Sequence, residues 1–487
     1  MDLKTLLKNV EYGYIREGNA EITGISIDSR EVRPGDLFFC IAGLHNDSHL
    51  FLNDVLKRGA AAIIAERLCE ADGGAPVAIV RSSREALSRI AVDFYGDPSA
   101  SFNLIGVTGT NGKTSVTYLL EAILNEAGRR PGVIGTLNAR VNGAETGVSF
   151  KTSTTPDTPE LLKILEIMRS SGATDVCMEV SSHSLALNKV DGLKFKIGIF
   201  TNLTQDHLDF HHTMEEYKRA KKRLFSLCGT GIINRDDETA GEFIEGAGCG
   251  VLTYGTRGGC DIKAYDIEHG TGGVKFSADI YGAETRFELN VPMRFTVYNA
   301  LAAIGAAVVL KIPADRMRSG LKNFTGVPGR AQSVPNDLGV GIIVDYAHTP
   351  DALYNVLRSA RELCAGKLIT VFGCGGDKDR SKRPVMGRIA GELSDRSIIT
   401  SDNPRSEEPM DIIAEIERGM IEAGGFYEIY EDRRAAIYAA VSSAKRGDTV
   451  VIAGKGHEEY QEFKDRTIRF ADAEVAAAAA RDAGAVG

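Results

Sequence analysis

The stretch GVTGTNGKTS, residues 106–115, decides how the chain is read. It follows the apolar run NLIGVTG (103–109) and opens SVTYLLEAILNEAG (115–128), whose apolar residues recur at helical spacing. A glycine-rich turn between strand and helix aims backbone N–H groups and the positive helix end at phosphate oxygens. The spacing here is GxxGxxGKT, with Val107 where the commoner phosphate loop has its first glycine. The chemistry is unchanged by that shift. Gly109 and Gly112 allow close backbone approach, Lys113 neutralises β and γ oxygens, Thr114 offers a hydroxyl to Mg²⁺, and Thr110, Asn111 and Ser115 complete the cradle. ATP is therefore the expected cosubstrate. A purely structural turn is the competing reading, and GKT at a strand-to-helix junction argues against it. The loop alone does not choose among motors, switches and ligases.

Outward from the loop, the runs DVCMEVSS (175–182) and IGIFTNL (197–203) alternate with helical stretches, which predicts a mostly parallel sheet covered by helices. A second alternating series, LITVFGCGG (368–376), SIITSDN (397–403) and TVVIAGKG (449–456), predicts a smaller α/β domain. Ahead of both, ITGISIDSREVRPGDLFFCIAG is turn-punctuated and β-like, and FLNDVLKRGAAAIIAE reads as helix then strand. The expectation is an α/β chain of three domains, 1–100, 101–329 and 330–487, in keeping with a length of 487 residues. An Ala-rich helix, AEVAAAAARDAG, closes the sequence.

A net charge of −9 argues against a general polyanion binder, so any basic site is local and no nucleic-acid partner is expected. No apolar run approaches a membrane span and the N-terminal stretch lacks a leader-like core, so a cytoplasmic protein without a membrane partner is expected. Eight cysteines without a CxxC pair fit reduced, buried thiols.

Further candidates lie at strand ends, where ligands collect in open α/β sheets. Glu179 in MEVSSHSLAL and His207 in TNLTQDHLDFHH are suited to a second Mg²⁺, with a satisfied core or surface residue as the competing reading. Lys221 in YKRAKKRLF reads first as part of a basic helical face, and His211 and His212 as solvated polar residues. Arg330 in GVPGRAQ sits at the hinge into the last domain, placed to reach phosphate only on closure or to form an interdomain salt bridge.

In order, GVTGTNGKTS, MEVSSH, TNLTQDHLDFH with YxxAK, VPGR, DYAHTPDAL, GCGGDKD, DNPR and GKGHE resemble the Mur ligases, and among them the members that add meso-2,6-diaminopimelate to UDP-N-acetylmuramoyl-L-alanyl-D-glutamate. The resemblance covers nearly the whole chain. It implies an N-terminal UDP-binding domain, a central ATPase and a C-terminal Rossmann-like domain, acting through an acyl phosphate in peptidoglycan synthesis. It also implies a monomer with small-molecule substrates. Residue by residue, it implies that Ser29, His45 and Asn46 meet the uridine end, and Thr154, Thr155, Ser181 and Lys189 the sugar-dipeptide end. Asn299 would meet adenine, with Asp345, His348 and Arg330 beside the nucleotide. Glu179, His207 and Thr114 would hold metal, and Lys221 would carry CO₂ as an N6-carboxylysine, joining Lys113, His207 and Arg330 as catalytic residues. That reverses the reading of Lys221 from spacing alone. Lys378, Asp402, Asn403, Pro404, Arg405, Gly454 and Glu458 would bind diaminopimelate, with Arg405 in SDNPRSEEP pairing the carboxylate that lysine lacks.

The chain departs from the family pattern at Leu187 and Lys189, where Gln and Arg are common, at Thr296 in RFTVYN, at Lys378 in place of Arg, and in VPGRAQ for VPGRME. Lysine at 189 or 378 keeps the charge without the bidentate fork. The rival readings are a sibling ligase adding L-lysine, a D-Ala-D-Ala dipeptide or poly-glutamate, and a nucleotide-binding regulatory module without ligase chemistry. For Arg405 the competing reading is a turn arginine paired with Glu407 or Glu408.

Overall fold

A computed structural model describes residues 1–43, 46–68, 74–148, 152, 154–270 and 272–486. Its largest sheet is built around Asn103–Thr108, the strand that ends in the phosphate loop. On one side of it lie Asp175–Glu179 and Pro131–Ile134, on the other Phe195–Phe200, Cys228–Asn234 and Gly250–Gly255, all parallel. Strand order thus reverses direction at Asn103–Thr108, and the crevice beyond its carboxyl end is where an open α/β sheet binds ligands. Alternation along the strand feeds both faces. Ile105 and Val107 pack under helices Lys113–Glu126 and Thr296–Val309, whereas Leu104 faces the core that holds helices Thr158–Ser170 and Ser83–Tyr95.

The sheet is mostly parallel, as the alternation predicts, with antiparallel strands added at its margins. Gly273–Ile280 and Ala283–Leu289 extend one edge as antiparallel strands, and Ala139–Val141 with Ala144–Glu145 the other. Their turns need only a few residues, and no helical crossover is required.

The N-terminal sheet has five strands, with Tyr12–Arg16 antiparallel at its edge and the parallel strands Val77–Val80, Ala62–Ala65, Asp36–Phe39 and Gly24–Ser26 behind it. The third sheet orders Gln332–Ser333, Gly341–Asp345, Thr449–Ala453, Leu368–Phe372, Arg396–Thr400 and Tyr427–Tyr430, parallel except for the first pair. A small hairpin, Tyr460–Glu462 with Thr467–Arg469, lies beyond it, and the Ala-rich helix spans Asp472–Val486. The three sheets share apolar cores: one cluster runs from Ile105 through Ala347 to Ile416, another from Leu3 through Leu104 to Phe243. Among the described residues no helix is long and apolar enough to cross a membrane. Cys40, Cys177, Cys228 and Cys374 are buried and Cys249, Cys260 and Cys364 partly so, all as free thiols.

Candidate functional site

The phosphate loop closes on itself. Lys113 donates to the carbonyls of Gly109 at 2.9 Å and Thr110 at 2.8 Å, which draws its ammonium over the loop. Gly109 has φ +147°, and a Cβ there would overlap the Thr201 hydroxyl, so only glycine fits beside the neighbouring strand end. Lys221, at the end of helix Met214–Lys222, is 1% exposed and donates to the same Gly109 carbonyl at 2.8 Å. A basic surface face is thereby excluded for Lys221. Burial first, and then the Lys113 charge, push its pKa well below the ordinary lysine value, with Asp206 opposing.

Glu179 ends the adjacent strand and is 1% exposed, accepting from the Thr136 N–H at 2.9 Å and the Thr136 hydroxyl at 3.1 Å. His207 has a left-handed φ of +54° and stands 3.3 Å from Asp206. Burial lowers its pKa to about 4, so its imidazole is neutral near pH 7 and able to ligate. His183 packs against His207 at 4.8 Å between ring centres. His211 is not solvated as the sequence suggested: it is 4% exposed, bonded to the Ser182 hydroxyl at 2.9 Å, and packed on His183 and Tyr217. His212 is exposed.

The hard oxygens of Glu179 and Thr114 and the neutral His207 suit Mg²⁺, but Lys221 as an ammonium would repel it. The donor set fits the metal with Lys221 converted to a carbamate, whose oxygens replace that positive charge. Among the described residues no ready group of three His, Cys, Asp or Glu side chains surrounds a metal position.

Arg330 lies closer than expected. Without further closure its Nη2 is 3.4 Å from the Thr114 hydroxyl, while its guanidinium stacks 4.2 Å from the Tyr346 ring rather than forming an interdomain salt bridge. A cavity of about 390 Å³ brings together Thr110 to Ser115, Thr154, Thr155, Glu179, Ser181, His183, Leu187, Lys189, His207, Arg330, His348 and Lys378. Lys378 therefore faces the phosphate cavity. Lys189 is paired with Asp157 at 2.7 Å. Beside this cavity, about 290 Å³ is lined by Asn111, Asn299, Tyr298, Arg330, Asp345, Tyr346 and Asp351. Asn111 of the loop bonds Asp351 of the last domain at 2.9 Å. Asp345 accepts from the Ala331 N–H at 2.6 Å and so fixes the hinge, and the His348 Nδ1–H donates to the Tyr346 carbonyl at 2.7 Å. Thr296, the first residue of its helix, donates its hydroxyl to the Met293 carbonyl in the preceding turn.

A third cavity, about 900 Å³, is lined by Ser29, Arg30, Asn46, Phe51, Arg84, Asp157 and Lys163. Asp157 and its partner Lys189 connect it to the phosphate cavity. His45 lies outside the described residues.

The 401–405 turn is held from a distance. Arg405 has φ +51°; its Nε donates to Glu462 at 3.2 Å and its Nη1 to the Gly376 carbonyl at 2.8 Å, leaving Nη2 without a hydrogen bond among the described residues. Glu407 does not pair with it, because Arg383 takes both Glu407 oxygens, at 2.8 and 2.9 Å, and Glu408 stands just before the next helix without a side-chain cap bond. Lys455, fully buried, donates to Asn403 at 2.9 Å and to Glu458 at 2.8 Å, and Asn403 donates to the same Glu458 oxygen at 2.8 Å. Both bonds fall on one Glu458 oxygen, Oε2. Asp402 bonds the Asn403 N–H at 2.7 Å, Pro404 lies against Gly376, and Gly454 (φ +118°) packs on Asp402. Lys455 and Glu462 are the residues the sequence reading missed. The signal for Lys455 lay within GKGHE, whereas nothing near Glu462 marks it.

Three family models match the chain: "Mur ligase family, catalytic domain" over residues 21–95, "Mur ligase middle domain" over 107–307, and "Mur ligase, glutamate ligase domain" over 329–456. The UDP-N-acetylmuramoyl-L-alanyl-D-glutamate–2,6-diaminopimelate ligase of Halalkalibacterium halodurans is 44% identical over 481 residues, covering 97% of each chain. Its counterpart in Caldanaerobacter subterraneus is 43% identical over 476 residues, covering 98% of each. A solved structure of a ligase with that title superimposes with a TM-score of 0.68 at 33% identity over 95% of both chains. The MurF ligase of Thermotoga maritima shares the fold, with a TM-score of 0.66 at 19% identity over 95% of this chain and 98% of that one.

Proposed function

The chain belongs to the Mur ligase family, and from that premise we propose that it is the ATP-dependent, ADP-forming ligase that joins meso-2,6-diaminopimelate to UDP-N-acetylmuramoyl-L-alanyl-D-glutamate in peptidoglycan synthesis. The observation that carries the reading is a single cleft in which Lys113, Glu179, Lys189, Arg330 and Lys378 converge from two domains, with Arg405 held nearby in the second.

The γ-phosphoryl group passes from ATP to the D-glutamyl γ-carboxylate, ADP leaves, and the amine displaces phosphate from the resulting acyl phosphate as one proton is released. Bringing carboxylate and triphosphate together opposes like charges, which Lys113 and Arg330 offset while the loop fixes their approach. Mg²⁺, held by Thr114, Glu179, His207 and the Lys221 carbamate, would neutralise further phosphate charge when bound. Carbamate forms when a neutral amine adds CO₂ and releases a proton, and the depressed Lys221 pKa keeps that amine available. Arg405 offers Nη2 to the distal carboxylate, Glu458 its free oxygen to the distal ammonium, and Asp402, Asn403, Pro404 and Gly454 shape the turn. Asn299 and Asp345 face the nucleoside, His348 the phosphates, Ser29 and Asn46 the uridine end, and Thr154, Thr155 and Ser181 the dipeptide.

We take the domains as residues 1–100, 101–329 and 330–487, which keeps each sheet whole. We place the enzyme in the cytoplasm as a monomer acting on small molecules. Phosphate release with the UDP-linked dipeptide tests the reading: release with meso-diaminopimelate and not L-lysine is expected. Release with lysine alone would overturn the assignment of Arg405, and release with neither amine would favour a binding module.

A further inference from the structure

Cys228 begins the strand Cys228–Asn234, and Cys249 immediately precedes the next strand, Gly250–Gly255. Their sulfurs are 3.5 Å apart. Cys260, Cys364 and Cys374 by contrast lie on the Arg257 carbonyl, the Gly447 carbonyl and the Met386 sulfur. Two glycines paired across neighbouring strands make room for the sulfur pair. A Cβ on Gly198 would stand 2.9 Å from the Cys228 sulfur, and one on Gly231 would stand 3.3 Å from the Cys249 sulfur. The same glycines seat Leu224 and Phe225, whose side chains would come within 3.2 and 2.8 Å of those Cβ positions. Both residues belong to the turn Arg223–Ser226, which follows helix Met214–Lys222 and so lies directly behind Lys221. The two sulfurs and the support of Lys221 therefore share one packed layer.

Sulfurs already in contact need to approach by only about 1.5 Å to reach the length of an S–S bond. Cys228 is 9% exposed and Cys249 partly exposed, so the pair opens to solvent on the Cys249 side. We propose that Cys228 and Cys249 are a reversible modification site, closed to a disulfide by a low-molecular-weight disulfide, and that closure slows the enzyme by shifting the turn behind Lys221. Burial, and then the Cys249 sulfur beside it, push the Cys228 thiol above its ordinary range, which leaves Cys249 to react first. The Cys249 thiolate attacks one sulfur of the oxidant, forming a mixed disulfide and releasing one thiolate. Cys228 then loses its proton and attacks the Cys249 sulfur, which breaks the mixed bond and releases the second thiolate. Two protein thiols are oxidised and the oxidant is reduced to two thiols. Closure draws the sulfurs together beside Leu224 and Phe225, and a close-packed layer follows rather than leaves a gap. Lys221 reaches the Gly109 carbonyl from the helix that this layer supports.

The effect on turnover rests on the ligase reading above, whereas the cross-link is read by mass whether or not the enzyme turns over. Full-length reduced enzyme, freed of reductant, is incubated with glutathione disulfide and digested at low pH without reduction. The expected result is a joined pair of peptides holding Cys228 and Cys249, with kcat lowered severalfold and ATP binding retained. Dithiothreitol should reverse both changes. Cys249→Ser and, as a second variant, Cys228→Ala should neither cross-link nor lose turnover on treatment. Glutathione left on Cys249 without a cross-link, or a cross-link between other cysteines, would overturn the site. The expected cross-link with unchanged kcat would overturn its connection to Lys221, and an equal loss of kcat in treated Cys249→Ser would overturn it in favour of another thiol.

Discussion

The phosphate loop and the 401–405 turn stand at the carboxyl ends of strands in two mostly parallel sheets, and each holds a cation in place by hydrogen bonds. They are built by opposite means. The Lys113 ammonium is held by carbonyls three and four residues before it, so the loop itself places this cation. Arg405 is held by Gly376 and Glu462, 29 and 57 residues away. The loop's lysine is thus oriented by its own turn, whereas the guanidinium of Arg405 depends on two other segments staying in place.

A sharp way to break this contrast is at a point where the phosphate side also borrows, Lys221, which reaches Gly109 from 112 residues away. Lys221→Ala is expected to lower turnover by about 10³-fold while ATP binding survives, because Lys113 keeps its own anchors. Short carboxylates added to the assay should restore part of the rate by standing in for the carbamate. Full activity without an additive would remove Lys221 from the chemistry.

On the turn side the expected loss is smaller and falls on one substrate. Arg405→Ala should raise the KM for diaminopimelate roughly 30-fold, about 2 kcal/mol, with the KM for ATP and for the UDP-linked dipeptide unchanged. Arg405→Lys should not restore it, since an ammonium cannot reach Gly376 and Glu462 and still present a third donor in plane. Equal losses for all three substrates would mean that the turn supports the whole domain.

The same contrast explains what could be read in advance. The loop, its strand and its helix were legible because they follow one another along the chain: 106–115 reads as a phosphate site from spacing alone. Lys221 was not, because helical spacing shows a basic face and only the packed sheet shows that this one lysine points inward. His211 was misread for the same reason. Arg405 was legible as a residue through its motif, but its partner Glu462 sits in a hairpin with no distinctive pattern, and Glu407 was the nearer candidate in sequence. The antiparallel edge strands escaped because the alternating strand and helix pattern that betrays a parallel sheet says nothing about hairpins added to its margins.

Acid should act on the phosphate side first. Burial lowers the pKa of His183, His207 and His348 to about 4 and of His457 to about 3. The folded protein keeps these rings neutral while the unfolded chain protonates near pH 6.5, so the unfolded state holds more protons between those values. Stability is therefore full above about pH 6.5 and falls as pH drops toward 4. Thermal melts from pH 7.5 to 5 should show Tm decreasing, and His211→Gln, which removes another ring lowered to about 4, should make the decrease shallower. A flat profile would mean that the cleft admits enough water to charge these rings in the folded state.

The smallest effect tests whether Glu462 matters as a charge or as an acceptor. The pair is half in solvent, with side chains 26% and 44% exposed, so its Coulomb attraction is worth only about 0.2–1 kcal/mol. What Glu462 contributes beyond that is direction: by accepting from Nε, while Gly376 accepts from Nη1, it fixes the guanidinium plane, with Nη2 free of a hydrogen bond among the described residues. Glutamine keeps an acceptor at that position and alanine does not. Glu462→Gln should leave the KM for diaminopimelate within about twofold and Glu462→Ala should raise it roughly three- to fivefold, with kcat unchanged in both. Equal shifts in the two variants would show that the charge matters and the direction does not, and Arg405 would then need no distant support to find its ligand.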